Sequence, residues 1–339
     1  MHAASSPELA IACDRTGVVR KRVSIRSASA WARVSKHLGL IVRVLGTLGA
    51  LAWIATRIDL ASARAALGRI PVATFGLAIA LVAGNAAVGA LRWKAVLRAY
   101  GATRIPRLAT LVRLYFVAFF YNTYLPGAVA GDVGRAVVTR DAFEGEGATG
   151  ALAVVLVERA LGLFGLFALL AVGLIATRDT VAPGALWWWT VIGCVGSFAL
   201  VALIPLGRTL GPRLPARLAR IAARLPALRA VRPFGAAIAL SIATQALVAL
   251  AGWVLLAALA PIDLAGSLLV VPLAAATAFL PITVGGAGAR EAVYVALCGR
   301  LFGMAEADAL AASLGLWLAH LVVGAFGGAA QLARRRPAT

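Results

Sequence analysis

The chain has 339 residues, 62% of them hydrophobic, and a mean hydropathy of +0.91. A water-soluble domain cannot hide that much apolar surface, because roughly half apolar is its usual share. The net charge of +20, from 33 Lys and Arg against 13 Asp and Glu, invites nucleic acid. However, the basic residues crowd the ends of apolar segments, as the positive-inside rule requires of a membrane protein. Nucleic acid is therefore set aside as a partner, and anionic headgroups of the inner leaflet take its place.

Residues 1–38 are polar and basic, with Arg15, Arg20, Lys21, Arg22, Arg26, Arg33 and Lys36, and read as a disordered cytoplasmic tail. No small-residue cleavage site follows, so the first apolar segment is expected to be retained. Apolar segments fall near 39–56, 70–91, 108–125, 150–176, 186–206, 234–259, 266–281 and 308–331. Most reach about 20 residues, the length a helix needs to span the hydrocarbon. Two are shorter and end in breaks, Leu125-Pro126-Gly127 and Leu280-Pro281; each leads through glycines to a moderately apolar segment, 132–140 or 288–303. Trp187, Trp188 and Trp189 have the amphipathic rings of an outer-interface anchor.

The connectors decide the threading. Residues 92–107 carry Arg92, Lys94, Arg98, Arg104 and Arg107; residues 207–232 carry Arg208, Arg213, Arg217, Arg220, Arg224, Arg229 and Arg232; neither has an acid. The tail at 334–339 opens with Arg334-Arg335-Arg336. All three belong in the cytoplasm with the N-terminal tail. If every apolar segment crossed fully, 207–232 would lie outside. Turning the chain back at each Leu-Pro break removes the conflict. The expectation is an all-α, polytopic membrane protein whose transmembrane domain covers 39–333, with about six full crossings and two re-entrant hairpins, one from each face. Within 207–232, Leu210, Leu214, Leu218, Ile221 and Leu225 recur at helical spacing beside the arginines. That pattern reads as a basic amphipathic helix at the inner interface or as a solvated linker that sets topology.

The two breaks are related. Leu125-Pro126, Gly131 and Arg135 match Leu280-Pro281, Gly286 and Arg290 at one offset of 155 residues (280 minus 125). Segments 70–91 and 150–176 map at that offset onto 225–246 and 305–331, and each mapped pair runs in opposite directions in this threading. This is the pattern of inverted repeats, whose discontinuous helices build sites near the midplane. Half-helices starting near Gly131 and Gly288 would point N–H groups and positive dipole ends inward, beside Gly286, Arg135 and Arg290, to suit a phosphate or another anion. Asp132, Glu158, Arg159 and Glu291 join the candidate set, and charges at this depth are functional by default. Alternatively, they are ion pairs that hold the broken helices. Asn122 and Tyr124 line the cavity or cap freed backbone groups. His320 reads as an interior histidine rather than a proton relay.

Cys13, Cys194 and Cys298 show no paired spacing, and His2, His37 and His320 are scattered, so neither a metal site nor a cofactor is expected. No HExxH, no GxSxG and no P-loop is present; the chain reads as a non-enzyme with no catalytic residues.

The run from Phe120 to Gly127, followed by Gly131-Asp132-Val133-Gly134-Arg135, resembles the first signature of the lysylphosphatidylglycerol synthase transmembrane, or flippase-like, family. Glu158-Arg159 with Gly162 resembles the second, and Leu280-Pro281, Gly285-Gly286, Gly288 and Arg290-Glu291 the third. In bacterial members a related domain moves aminoacylated phosphatidylglycerol between leaflets, and a cytosolic domain makes that lipid. The sequence stops at Thr339 without such a domain, so lysyl transfer is not expected. The resemblance implies a translocase in the bacterial inner membrane that moves a polar- or anionic-headgroup lipid, whether a phospholipid, a hopanoid or a polyprenyl-linked sugar, with a homodimer as one allowed assembly. A transporter of small soluble anions and a non-transporting accessory subunit of envelope lipid biosynthesis are the alternatives.

Overall fold

In lipid every backbone polar group must be satisfied within the protein. Consistent with this, the computed structural model of the chain is built from helices, with no strand among the described residues. Those residues are 60–125, 130–143, 147–179, 184–210, 227–279 and 286–332, with single positions in 45–56 and 213–219 and only backbone at 60 and 203–210.

Five long helices form the frame: α2 (Val72–Ala99), α5 (Gly147–Ala176), α6 (Ala185–Leu210), α7 (Val231–Ala257) and α10 (Glu306–Leu332). Each contains a stretch long and apolar enough to cross a membrane, so the chain is an all-α polytopic membrane protein. The sixth expected crossing, 39–56, lies almost wholly outside the described residues, as do the tails 1–38 and 334–339. Of the amphipathic stretch 207–232 little is described beyond the end of α6. One turn there has the Ala219 N–H donating to the Pro215 carbonyl at 3.0 Å. Short α1 (Leu60–Arg69) packs on α10.

Between the long helices lie two pairs of short ones. The first is α3 (Leu108–Tyr124) and α4 (Ala130–Val138); the second is α8 (Leu264–Ala276) and α9 (Ala289–Phe302). The breaking residues Pro126, Gly127, Leu280, Pro281 and Gly285 are outside the described set. Each pair begins and ends at one end of the bundle. The Thr103 N–H, before α3, donates to the Ala142 carbonyl, after α4, at 2.9 Å. In the second pair Gly266, near the start of α8, lies against the Phe302 ring at the end of α9; a Cβ there would come within 2.6 Å of it.

Packing is preserved when the two halves are exchanged. α3 packs on α10 as α8 packs on α5; α4 packs on α5 as α9 packs on α10; α2 packs on α3 as α7 packs on α8. The counterpart helices α2 and α7 pack on each other and run antiparallel. Arg92 reaches Thr244 at 3.1 Å, and the Arg229 and Ala230 N–H groups donate to the Ala99 carbonyl at 2.8 and 3.1 Å. Association of helices in lipid relies on van der Waals contact, which small residues permit at close range. Gly327 faces the Phe116 carbonyl, and a Cβ on Gly165 or Gly173 would meet the Ser241 carbonyl or Leu268 backbone at 2.7 Å.

One expectation is corrected. The cytoplasmic connector read from the sequence at 92–107 starts later, because Arg92 and Lys94 both lie inside α2, which runs on to Ala99. Trp93, Val96 and Leu97 are fully buried and continue the helix's packed face, so the apolar stripe outlasts the charged residues that interrupt it.

Candidate functional site

Arg135, on the short helix α4, is the centre of a buried charge group. Its guanidinium donates to Glu158 Oε2 on α5 at 2.8 Å and pairs with Asp132, one turn back on its own helix. Its carbon lies 4.6 Å from the Tyr115 ring centre and 5.1 Å from that of Trp93, so aromatic rings also cover it. Gly89 makes the room for Tyr115, because a Cβ there would collide with the ring. Arg92 approaches from α2. It donates to Glu158 Oε1 at 3.1 Å, to the Thr244 hydroxyl at 3.1 Å and to the Tyr115 hydroxyl at 3.3 Å. Arg159, next to Glu158 on α5, pairs with the far oxygen of Asp132.

Pairing is what makes these charges tolerable at such depth. Taking one ion out of water costs several kcal/mol, and Arg92, Asp132, Arg135 and Glu158 are all buried. Each carboxylate therefore receives at least two cationic donors. Among the described residues the group holds three arginines and two carboxylates.

The start of α4 is closed by a side chain. Asn122, near the end of α3, accepts from the Gly131 N–H at 2.9 Å and donates to Asp132 Oδ1 at 3.3 Å. Gly131 has no room for a side chain, since the Ala118 carbonyl occupies that position. A cavity of about 180 Å³ is lined by the five charged residues of this group together with Asn122, Tyr115, Gln245, Phe119 and Phe279, among others. Gln245 is held by donating to the Gly162 carbonyl at 3.0 Å.

The second break has a smaller group. Gly286 and Gly288 have φ of +82° and +81°, a backbone that side chains rarely adopt. Gly288 caps α9, and its N–H donates to Glu291 Oε2 at 2.7 Å. Arg290 donates through Nε to Glu291 Oε1 at 2.9 Å, and the Ser313 hydroxyl reaches the same oxygen at 3.5 Å.

Six of the candidate residues are thus brought together: Asn122, Gly131, Asp132, Arg135, Glu158 and Arg159. Gly286, Gly288, Arg290 and Glu291 form a separate group, so the two related arginines do not meet in one ion-pair network. At each half-helix N-terminus one N–H group is taken up by a side chain, that of Gly131 by Asn122 and that of Gly288 by Glu291. Tyr124 is elsewhere: it is 45% exposed, its hydroxyl donates to the Leu321 carbonyl at 2.8 Å, and its ring packs on Gly324. His320 is an interior residue, with Nδ1 2.8 Å from the Leu316 carbonyl and its ring stacked 5.8 Å from Phe119. Sequence reasoning missed Arg92, Tyr115, Thr244 and Gln245. Arg92 carried a usable signal, since Trp93, Val96 and Leu97 continue a helical stripe beyond it.

No protein of curated function matches the chain. Residues 40–328 match the family described as the lysylphosphatidylglycerol synthase TM region. That span takes in both pairs of short helices and nearly the whole of the five long ones. The signatures around Arg135, Glu158-Arg159 and Arg290-Glu291 are thus the places where this membrane bundle is broken or charged, and the chain belongs to the lysylphosphatidylglycerol synthase TM region family.

Proposed function

We propose that the protein is a lipid translocase of the bacterial inner membrane, with both termini cytoplasmic, that moves a polar- or anionic-headgroup lipid between leaflets without chemical change. The headgroup enters the cavity beside Arg135 while the hydrocarbon chains stay in the bilayer. The observation that carries this reading is a cavity lined by three arginines and two carboxylates inside an apolar helix bundle. Charge at that depth is costly and marks substrate paths. The family's link to envelope lipids points the same way.

The two halves act as an inverted repeat. The antiparallel packing of α2 on α7 and the closure of each short-helix pair at a single end support re-entrant hairpins entering from opposite faces. A translocase of this kind alternates by rocking one half against the other around a fixed site. Acyl-labelled lipid in proteoliposomes tests the reading. Wild-type protein should scramble the label, and Arg135→Ala should abolish scrambling. Unchanged activity in a well-folded Arg135→Ala protein would remove the site assignment.

The small volume of the cavity favours one second reading, a transporter of small soluble anions. Uptake of a soluble anion with no lipid movement would decide for it.

A further inference from the structure

The cavity is walled by charges that already answer one another. Arg92, Asp132, Arg135, Glu158 and Arg159 all line it, and each has an ion-pair partner within the group. A charged ligand has to compete with those pairs. An anion draws an arginine from its carboxylate, a cation draws a carboxylate from its arginines, and the ion left behind is costly inside the bundle. An uncharged hydroxyl breaks no pair. It gives one hydrogen bond and takes another, and the paired groups retain capacity for both. Glu158, for example, receives one arginine on each oxygen, whereas an ionised carboxylate has about four lone-pair sites.

The uncharged part of the wall has the same two-sided character. The Tyr115 hydroxyl accepts from Arg92 at 3.3 Å and keeps its own proton to donate. Gln245 donates through its amide nitrogen to the Gly162 carbonyl at 3.0 Å and keeps its amide oxygen to accept. Phe119 and Phe279 add apolar ring surface. Groups that both give and take, set beside apolar surface, match a sugar or polyol, which carries hydroxyls around its edge and C–H groups between them. A volume of about 180 Å³ holds roughly six waters at about 30 Å³ each, the space of one such unit and not of two. We infer that the cavity takes a single uncharged, hydroxyl-bearing unit, a monosaccharide or a glycerol, and selects it by hydrogen bonds against ions of either sign; this rests on the reading of the cavity as the transport site. Gln245 sets the specificity together with Tyr115. It lies on α7, whereas the charges lie on α2, α4 and α5, so a bound unit touches both halves of the bundle.

The test uses the full chain in proteoliposomes, with monoglucosyl diacylglycerol and phosphatidylserine each carrying a fluorophore on the acyl chain, and reads bleaching by external dithionite. The glucosyl headgroup is uncharged and bears hydroxyls; the serine headgroup is charged and bears none. The glucosyl lipid should cross about tenfold or more faster. This comparison needs no variant, so it stands even if a substitution misfolds. Equal rates, or a faster phosphatidylserine, would overturn the inference and leave the translocase reading intact. Gln245→Leu removes the amide at similar volume and should lower the ratio of the two rates about threefold to tenfold, the worth of one neutral hydrogen bond. The ratio is the readout because a change in helix packing alone slows both lipids. An unchanged ratio in a well-folded Gln245→Leu protein would overturn the assignment of Gln245. Entry of radiolabelled glucose with neither lipid crossing would keep the hydroxyl-selective cavity and overturn the lipid reading. No entry and no crossing would overturn both.

Discussion

Position by position, the two halves share their packing and differ in what fills it. At the offset of 155, Arg92, Tyr115, Asp132, Glu158 and Arg159 correspond to Leu247, Val270, Ala287, Ser313 and Leu314; of the charged group only Arg135 has a charged counterpart, Arg290. The first half is therefore knotted by ion pairs around one arginine. The second holds its arginine through the neighbouring Glu291 and fills the remaining space with apolar side chains. The same backbone plan can evidently be stabilised either way. Since each buried ion is expensive, the charges have accumulated beside the cavity and not in its counterpart.

Substitutions at paired positions can break or sharpen this contrast. The largest effect is expected from Arg135→Ala, which strands Glu158 and Asp132 with fewer donors and should cost about 3–5 kcal/mol. Arg290→Ala should cost about 1–2 kcal/mol, because Glu291 keeps the Gly288 N–H and Ser313. Chemical unfolding of the purified protein in detergent measures both, and equal losses would erase the distinction between the halves. Ser313→Glu places a carboxylate where Glu158 has its counterpart, beside Glu291 and with a leucine, Leu247, in the place of Arg92. It should cost about 3 kcal/mol, and adding Leu247→Arg should restore about half of that if the halves are equivalent. No restoration in the double variant would argue against the equivalence of Arg92 and Leu247.

Smaller effects follow from the related glycines. Gly131→Ala meets the Ala118 carbonyl and should cost about 1–3 kcal/mol by overpacking. Gly286→Ala is opposed by its backbone, at φ +82°, and should cost about 1–2 kcal/mol. Gly134 lies in the interior of α4, where a Cβ would meet nothing within 4 Å, so Gly134→Ala should be neutral or stabilise by about 0.5–1 kcal/mol. The smallest change is expected from Tyr124→Phe, which removes one exposed hydrogen bond for about 0.5–1 kcal/mol and should leave transport unaltered.

Much of this was legible in the residues, for physical reasons that differ by feature. Apolar runs of about 20 residues can only be membrane helices, which located α2, α5, α6, α7 and α10 to within a few residues, apart from the C-terminal end of α2. That end was misplaced because a charged residue in an apolar run reads as a boundary; Arg92 is compensated by Glu158, 66 residues away in the chain. The Leu-Pro breaks and their shared offset were legible because proline interrupts a helix by local covalent chemistry. Tyr124 stood in the same motif as Asn122, yet positions two apart on a helix point to different sides. Only packing against α10 shows which side faces the cavity.

By itself the sequence determined that the chain lives in a membrane, where its helices break, and which charges sit at those breaks, because hydropathy, proline and glycine act locally. Only the tertiary structure decided how those charges are shared. The pairing of Arg135 with Glu158 and of Arg92 with both Glu158 and Thr244 joins four helices. Such partners are chosen by the low-dielectric interior, which leaves no charge unpaired, and not by spacing along the chain.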